Sequence, residues 1–155
     1  MDENINEFYA QVNEFFDCKG ADPKSYSANT LAYIGDGFYE LVIRSLVIKN
    51  KNRKAGDLHK KTSSLVKAEA QAKILDAVID ELSEEEKDVY HRGRNAKSPT
   101  MSKNASVHDY RIATGFEALM GYLYISGRTK RAFEIIKIGL MKLNLLVVNG
   151  ESKDE

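Results

Sequence analysis

The 155 residues, 43% hydrophobic and 30% charged, suffice for one domain with a real core and not for two comfortable ones. No apolar run approaches the length of a membrane span, the acidic N-terminus is not a signal peptide, and three scattered histidines offer no zinc cluster. The single cysteine, Cys18, excludes an internal disulfide framework and fits a reducing cytosol, so a cytoplasmic location is expected; the thiol itself reads as inert and half-buried.

Only two prolines interrupt long periodic segments, which predicts an all-α fold built as a single domain over residues 1–155. Residues 1–26 read as an N-terminal helix and linker. That helix covers about residues 3–17, with Ile5, Phe8, Tyr9, Val12 and Phe15/Phe16 forming one apolar face, for the core or a dimer interface; Gly20, Asp22 and Pro23 end it.

Asn29 to Leu46, NTLAYIGDGFYELVIRSL, is the stretch around which the chain organises itself. Leu31, Ile34, Phe38, Leu41, Val42 and Leu46 recur at helical spacing, Ser27 is placed to cap the helix, and its end falls near Ile48. Gly35 and Gly37 each cost a helix roughly 1 kcal/mol relative to alanine, which points to close packing or close approach of a partner. Ala32, Asp36 and Glu40 fall on one stripe beside the apolar one. Acidic stripes are most often solvated faces. What singles out Asp36 is a second acidic helix further on.

Lys49 to Asp57 reads as a basic loop. Leu58, Leu65 and Val66, then Ala68, Ala72, Leu75 and Ile79, predict one helix broken near Val66, or two short ones. Ser83 with Glu86 is a capping-box pattern opening a charged helix to about Arg92. His91 to Ser106, rich in Gly, Asn, Ser and Pro, reads as a long loop. Val107 to Ser126 is the second informative helix. Ile112, Phe116, Leu119, Leu123 and Tyr124 make its apolar stripe, small residues narrow another side, and Glu117 sits in the middle of an otherwise apolar run. Gly127 is placed as its C-cap. A last helix is expected from about Lys130 to Val147, and residues 149–155 read as a frayed tail.

The net charge of zero hides an asymmetry. Lys49 to Lys73 carries eight Lys/Arg against two acids, and His91 to Lys103 carries four against none. The compensating acids lie in the first 22 residues and in Asp80–Asp88. Separated charge of this kind provides a face for a polyanion. The loop holding Arg92, Arg94, Lys97 and Lys103 has no Phe, Tyr or Trp for stacking a base, so it suits phosphates.

A carboxylate in an apolar helix needs a cation, a metal or hydrogen bonds. If the Asp36 and Glu117 helices pack antiparallel, the two acids converge on one site. Oxygen ligands without histidine or cysteine favour Mg²⁺ or Mn²⁺ over zinc. With basic segments to hold a polyanion, the residues point to a metal-dependent phosphodiesterase acting on nucleic acid. Two other classes stay open: a non-catalytic RNA- or ribosome-binding scaffold, and a helical phosphohydrolase of small nucleotides, which would want histidine–aspartate clustering or more acids.

The strings LAYIGDGFYE, KTSSLVKAEAQAKIL and TGFEALMGYLY resemble the ribonuclease III family, over roughly Ser27 to Leu143. LAYIGD, DLHKK, RGRNAK and the short length resemble its Mini-III branch in particular. The resemblance implies a homodimeric helical endonuclease domain whose two centres cut the two strands of an RNA duplex with Mg²⁺, or Mn²⁺, leaving 5′-phosphate and 3′-hydroxyl ends. By position, Asp36 and Glu117 match the family's catalytic metal ligands, and Tyr33, with Phe38, its dimer interface. Ala32 and Thr114 stand where the family signature has further acids, with Glu40 a poor substitute, and the chain leaves no room for a double-stranded-RNA-binding domain. Duplex RNA is read by shape and backbone contacts. Those contacts are expected from Arg92, Arg94, Asn95 and Lys97, and less strongly from His59, Lys60 and Lys61. The branch further implies trimming of the base-paired ends of large-subunit ribosomal RNA precursor, with a ribosomal protein as a possible presenter of the substrate.

Overall fold

The computed structural model describes residues 7–49, 54–97 and 106–145. Among them it has seven α-helices and no strand: α1 Phe8–Phe15, α2 Ala28–Val47, α3 Ala55–Val66, α4 Ala68–Val78, α5 Glu84–Arg94, α6 Val107–Ile125 and α7 Thr129–Lys142. The all-α expectation is met. No described helix is long and apolar enough to cross a membrane.

The centre of the molecule is α6. From Ile112 to Tyr124 every residue except Glu117 is buried, as a helix apolar all round requires. Its most extensive partner is α2, followed by α5 and α4, with α7 a smaller one. Ser27 caps α2, its hydroxyl accepting from the Thr30 amide at 3.1 Å. Leu31, Gly35, Tyr39, Ile43 and Val47, every fourth residue, form the buried ridge that α2 presents to the core. Gly35 and Gly121 let the two backbones touch. A Cβ on Gly35 would collide with the Glu117 carbonyl and lie 2.7 Å from the Gly121 nitrogen; one on Gly121 would collide with the Leu31 carbonyl. Gly37, by contrast, faces open space.

The break near Val66 lies where the spacing puts it. Lys67 is extended (ψ 155°), and the carbonyls it orphans are claimed by side chains of other helices. The Tyr39 hydroxyl donates to Leu65 O at 2.7 Å, and Gln71 Nε2 donates to Val66 O at 2.8 Å. The capping box of α5 is formed, with Glu86 N donating to Ser83 Oγ at 3.1 Å and Ser83 N to Glu86 Oε1 at 2.8 Å. The same Glu86 carboxylate takes both arms of Arg131 from α7, at 2.8 and 2.9 Å. Gly127 ends α6 in the left-handed region (φ 71°), as expected of a C-cap glycine.

Several boundaries and exposures differ from expectation. The apolar face of α1 is not buried: Phe8, Phe15 and Phe16 are exposed, and the helix is held mainly by Tyr9, whose ring meets Tyr124 edge-on at 5.5 Å. The other side of Tyr124 is taken by Phe38, stacked at 5.1 Å. Asp17 (φ 50°) stops that helix, and Cys18, read as half-buried, is exposed. Helix α3 begins at Ala55, inside the segment read as loop, and α5 continues to Arg94. Helix α7 stops at Lys142, because Asn144 turns left-handed (φ 51°) well short of Val147. Ile5, Arg53, Lys103 and the tail from 149 lie outside the described residues.

Candidate active site

Because Gly35 rests on the Glu117 backbone, the next residue of α2 is delivered to the same place on α6. The carboxyl groups of Asp36 and Glu117 come within hydrogen-bonding reach of each other. Asp36 is exposed at the rim, and Glu117 lies partly buried beneath it. Burial first, and then the neighbouring Asp36, push the Glu117 carboxyl up to about 9, while the Gln71 amide pulls it the other way. Burial and the Glu117 charge likewise raise the Tyr39 phenol well above its ordinary range.

Two carboxyls so placed resist being ionised together, and a cation between them removes the conflict. The donor set is oxygen alone, which suits Mg²⁺ or Mn²⁺. Among the described residues no three or more His, Cys, Asp or Glu gather as a metal cage. Mg²⁺ does not demand one, since it keeps much of its water and typically takes one or two carboxylates. Gln71 adds a donor, its amide lowering the Glu117 carboxyl. These residues fit a hydrated divalent cation.

The neighbouring positions add no carboxylate. Ala32 is buried, and the Thr114 hydroxyl donates back to Tyr110 O at 2.9 Å. Glu40 is turned to Arg44, 3.7 Å away on its own helix face, and stays outside the pair.

The expected RNA contacts divide. Arg92, exposed, reaches the Tyr26 carbonyl at 3.3 Å, and Arg94 lies over the Tyr90 ring at 5.7 Å with Nε donating to Asn95 Oδ1 at 3.4 Å. Lys97 is exposed, and its carbonyl accepts from Asn29 Nδ2 at 2.9 Å, tying this basic segment to the first turn of α2. These residues therefore share one end of the α2–α5 pair. On α3, His59 and Lys60 are exposed, whereas the Lys61 ammonium donates to Leu145 O at 3.0 Å and serves to hold the end of α7. Of the two aromatics assigned to a dimer interface, Tyr33 is 82% exposed, while Phe38 is 9% exposed and stacks on Tyr124 in the core and on the exposed Phe133.

Sequence reasoning passed over Tyr39, Gln71 and Asn29. For Gln71 a signal exists: it is three residues after Ala68 and four before Leu75, a lone amide on the apolar side of α4.

A family model described as the Ribonuclease III domain matches residues 29–128, the span that runs from α2 to the end of α6. Curated relatives named Mini-ribonuclease 3 include one from Clostridium tetani, 49% identical over 86% of this chain and 87% of that protein. Another, from Enterococcus faecalis, is 43% identical over 79% of this chain and 94% of that protein. A crystal structure of a protein from Fusobacterium nucleatum superposes with a TM-score of 0.72 at 30% identity, covering 80% of this chain and 99% of that one. On this likeness, carried through both acidic helices, the chain belongs to the ribonuclease III family, within its Mini-ribonuclease 3 branch, and its role is that of a ribonuclease.

Proposed function

We propose that this ribonuclease is a Mg²⁺-dependent endonuclease of double-stranded RNA, with Mn²⁺ able to replace Mg²⁺. It hydrolyses each strand to 5′-phosphate and 3′-hydroxyl ends, works as a cytoplasmic homodimer, and trims the base-paired ends of large-subunit ribosomal RNA precursor, where a ribosomal protein presents the substrate. The observation that carries the reading is the pairing of Asp36 with Glu117 across the α2–α6 contact, with the Glu117 carboxyl pushed up to about 9 by burial and by that neighbour.

When bound between the two acids, the cation supplies positive charge to the phosphoryl oxygens and acidifies a water. Asp36, at the rim, and Glu117, below it, hold the cation and fix where the scissile phosphate must lie. The burial of Glu117 keeps bulk water from screening that charge. Arg92, Arg94, Asn95 and Lys97 grip the phosphates flanking the cut, and His59 and Lys60 extend the track along α3. Tyr33, on the exposed face of α2, meets a second copy, so that two sites face the two strands; Phe38 backs that face from within.

The test is cleavage of a labelled perfect RNA duplex in Mg²⁺ by wild type, Asp36→Asn and Glu117→Gln, with duplex binding measured alongside. Wild type is expected to cut both strands, and each variant to lose at least about 10³-fold in rate, an electrostatic loss on the scale of about 4 kcal/mol, while binding persists. A wild type that binds duplex and never cuts, with Mn²⁺ or on a ribosomal precursor, replaces the enzyme by an RNA-binding scaffold.

A further inference from the structure

Gln71 is almost wholly buried, 2% exposed, and the two ends of its amide are treated unequally. Nε2 donates to the Val66 carbonyl at 2.8 Å, whereas Oε1 is buried and has no hydrogen-bond partner. Native proteins rarely leave such an atom unpaired. An amide nitrogen carries two hydrogens, and Val66 takes one of them. The amide also meets the Glu117 carboxyl, in the sense that favours its ionised form, which is a donated hydrogen. Turning the amide over would set its oxygen against the Val66 carbonyl and the carboxylate, both of which only accept. The unpaired Oε1 is what it takes to keep the nitrogen between two acceptors.

The backbone around this nitrogen holds it against α6. The extended Lys67 breaks the chain between α3 and α4 and frees two successive carbonyls, Leu65 and Val66. Tyr39 donates to the first at 2.7 Å, and its ring packs edge-on at 5.2 Å against Phe116, the residue before Glu117. Gln71 donates to the second. From the α2 side, Gly35 lies so close to the Glu117 carbonyl that a methyl would collide with it, which fixes the Glu117 backbone and leaves its side chain to be oriented by neighbours. Tyr39 has given its one hydrogen to Leu65, and Asp36 competes with Glu117 for positive charge. Gln71 adds a hydrogen donated to the carboxyl from a point tied to the backbone.

We propose that Gln71 is a positioning residue of the Asp36–Glu117 site, its Nε2 amide bridging the Val66 carbonyl and the Glu117 carboxylate and so fixing the orientation in which that carboxylate meets a cation. The proposal rests on the metal-dependent reading above and deepens it. A glutamate side chain turns about three bonds, and a carboxylate already held in one pose loses less freedom when the cation binds.

The experiment compares wild type, Gln71→Met, Tyr39→Phe, Glu117→Gln and Asp36→Asn as full chains without RNA. Mn²⁺ affinity is read by electron paramagnetic resonance, and the carboxylate stretches by infrared difference spectra on adding Mn²⁺. The Glu117 band is the one that Glu117→Gln removes. Tyr39→Phe takes a bond from the same corner but no hydrogen from Glu117, so its loss measures the corner alone. Gln71→Met is expected to weaken Mn²⁺ binding roughly 10- to 100-fold, the usual effect of removing a group that orients a metal's ligand. It is also expected to shift the Glu117 band, which Tyr39→Phe leaves in place. A Glu117 band unmoved in Gln71→Met, or an affinity loss no greater than that of Tyr39→Phe, overturns the proposal and leaves the acidic pair intact as a metal site. If Gln71→Met fails to fold, Gln71→Asn, one methylene too short to reach both acceptors, is judged by the same two readings. A wild type that binds Mn²⁺ no better than Asp36→Asn overturns both this proposal and the reading beneath it.

Discussion

Glu117 gives the site its most distinctive pH behaviour. In the folded, cation-free chain its carboxyl keeps its proton to about pH 9, whereas the unfolded chain releases it near the ordinary 4.5. The folded state therefore binds more protons between these limits. Its stability is fully present below about 4.5 and declines as the pH rises toward about 9. Thermal midpoints in chelator should fall across that window for wild type, and Glu117→Gln should flatten the fall. Parallel curves for the two proteins would show that Glu117 titrates as an ordinary surface acid. Glu86 presents the opposite case. The Arg131 guanidinium and the Ser83 amide outweigh its burial and hold its carboxyl below the usual range. Glu86→Ala removes half of the capping box and the two bonds to Arg131, which keeps Glu134 and the Glu81 carbonyl, and is expected to cost about 2 kcal/mol in urea unfolding.

The contact between α2 and α6 turns on one glycine of a pair. Gly35→Ala drives a methyl into the Glu117 backbone, and a loss of more than about 3 kcal/mol is expected, since backbone cannot yield as a side chain does. Gly37→Ala meets nothing inside the chain and should leave stability unchanged or raise it by about 1 kcal/mol. A marked loss at Gly37 instead would mean that a second copy occupies the space beside it. The spacing in the sequence marks both glycines alike, because it records helix cost and not which backbone lies opposite. The same reasoning accounts for what was legible elsewhere. Ser27, the Ser83–Glu86 box, Gly127 and the break near Val66 are local features, set by residues within a turn of one another, and they stand where the sequence puts them. The exposure of α1 was not legible, since an apolar stripe does not say whether the core or a dimer interface covers it. Asp36 and Glu117 were found as acids out of place in apolar helices. Gln71 was equally out of place but uncharged, and its burial becomes informative only when Oε1 is seen to lack a partner.

At the scale of the molecule, an apolar groove of about 670 Å³ runs between α2 and α7, floored by Phe38 and Tyr124 and edged by Phe8, Leu41 and Phe133, which are exposed. It adjoins the face of α2 that carries Tyr33, the face proposed above to meet a second copy. Leu41→Asp should then shift the protein to monomer in analytical ultracentrifugation and abolish paired cuts on the two strands. An unchanged mass would place the dimer contact elsewhere. The basic end near Asn95 makes a separate prediction. Arg92→Ala should weaken duplex binding irrespective of sequence and lower the slope of log affinity against log salt by about 1, the signature of one lost phosphate contact.

The corner between α3 and α4 has a role in time as well as in space. Its two orphaned carbonyls, on Leu65 and Val66, are held by Tyr39 and Gln71, and both of these side chains lie beside Glu117. Opening the corner and loosening the acidic pair are therefore one event, a single cooperative unit of the native state. A divalent cation added to the protein should slow amide hydrogen exchange at the end of α3 and the start of α4, in helices that contribute neither Asp36 nor Glu117. The exchange rate of that corner becomes a clock for the occupancy of the site, readable without RNA and without turnover.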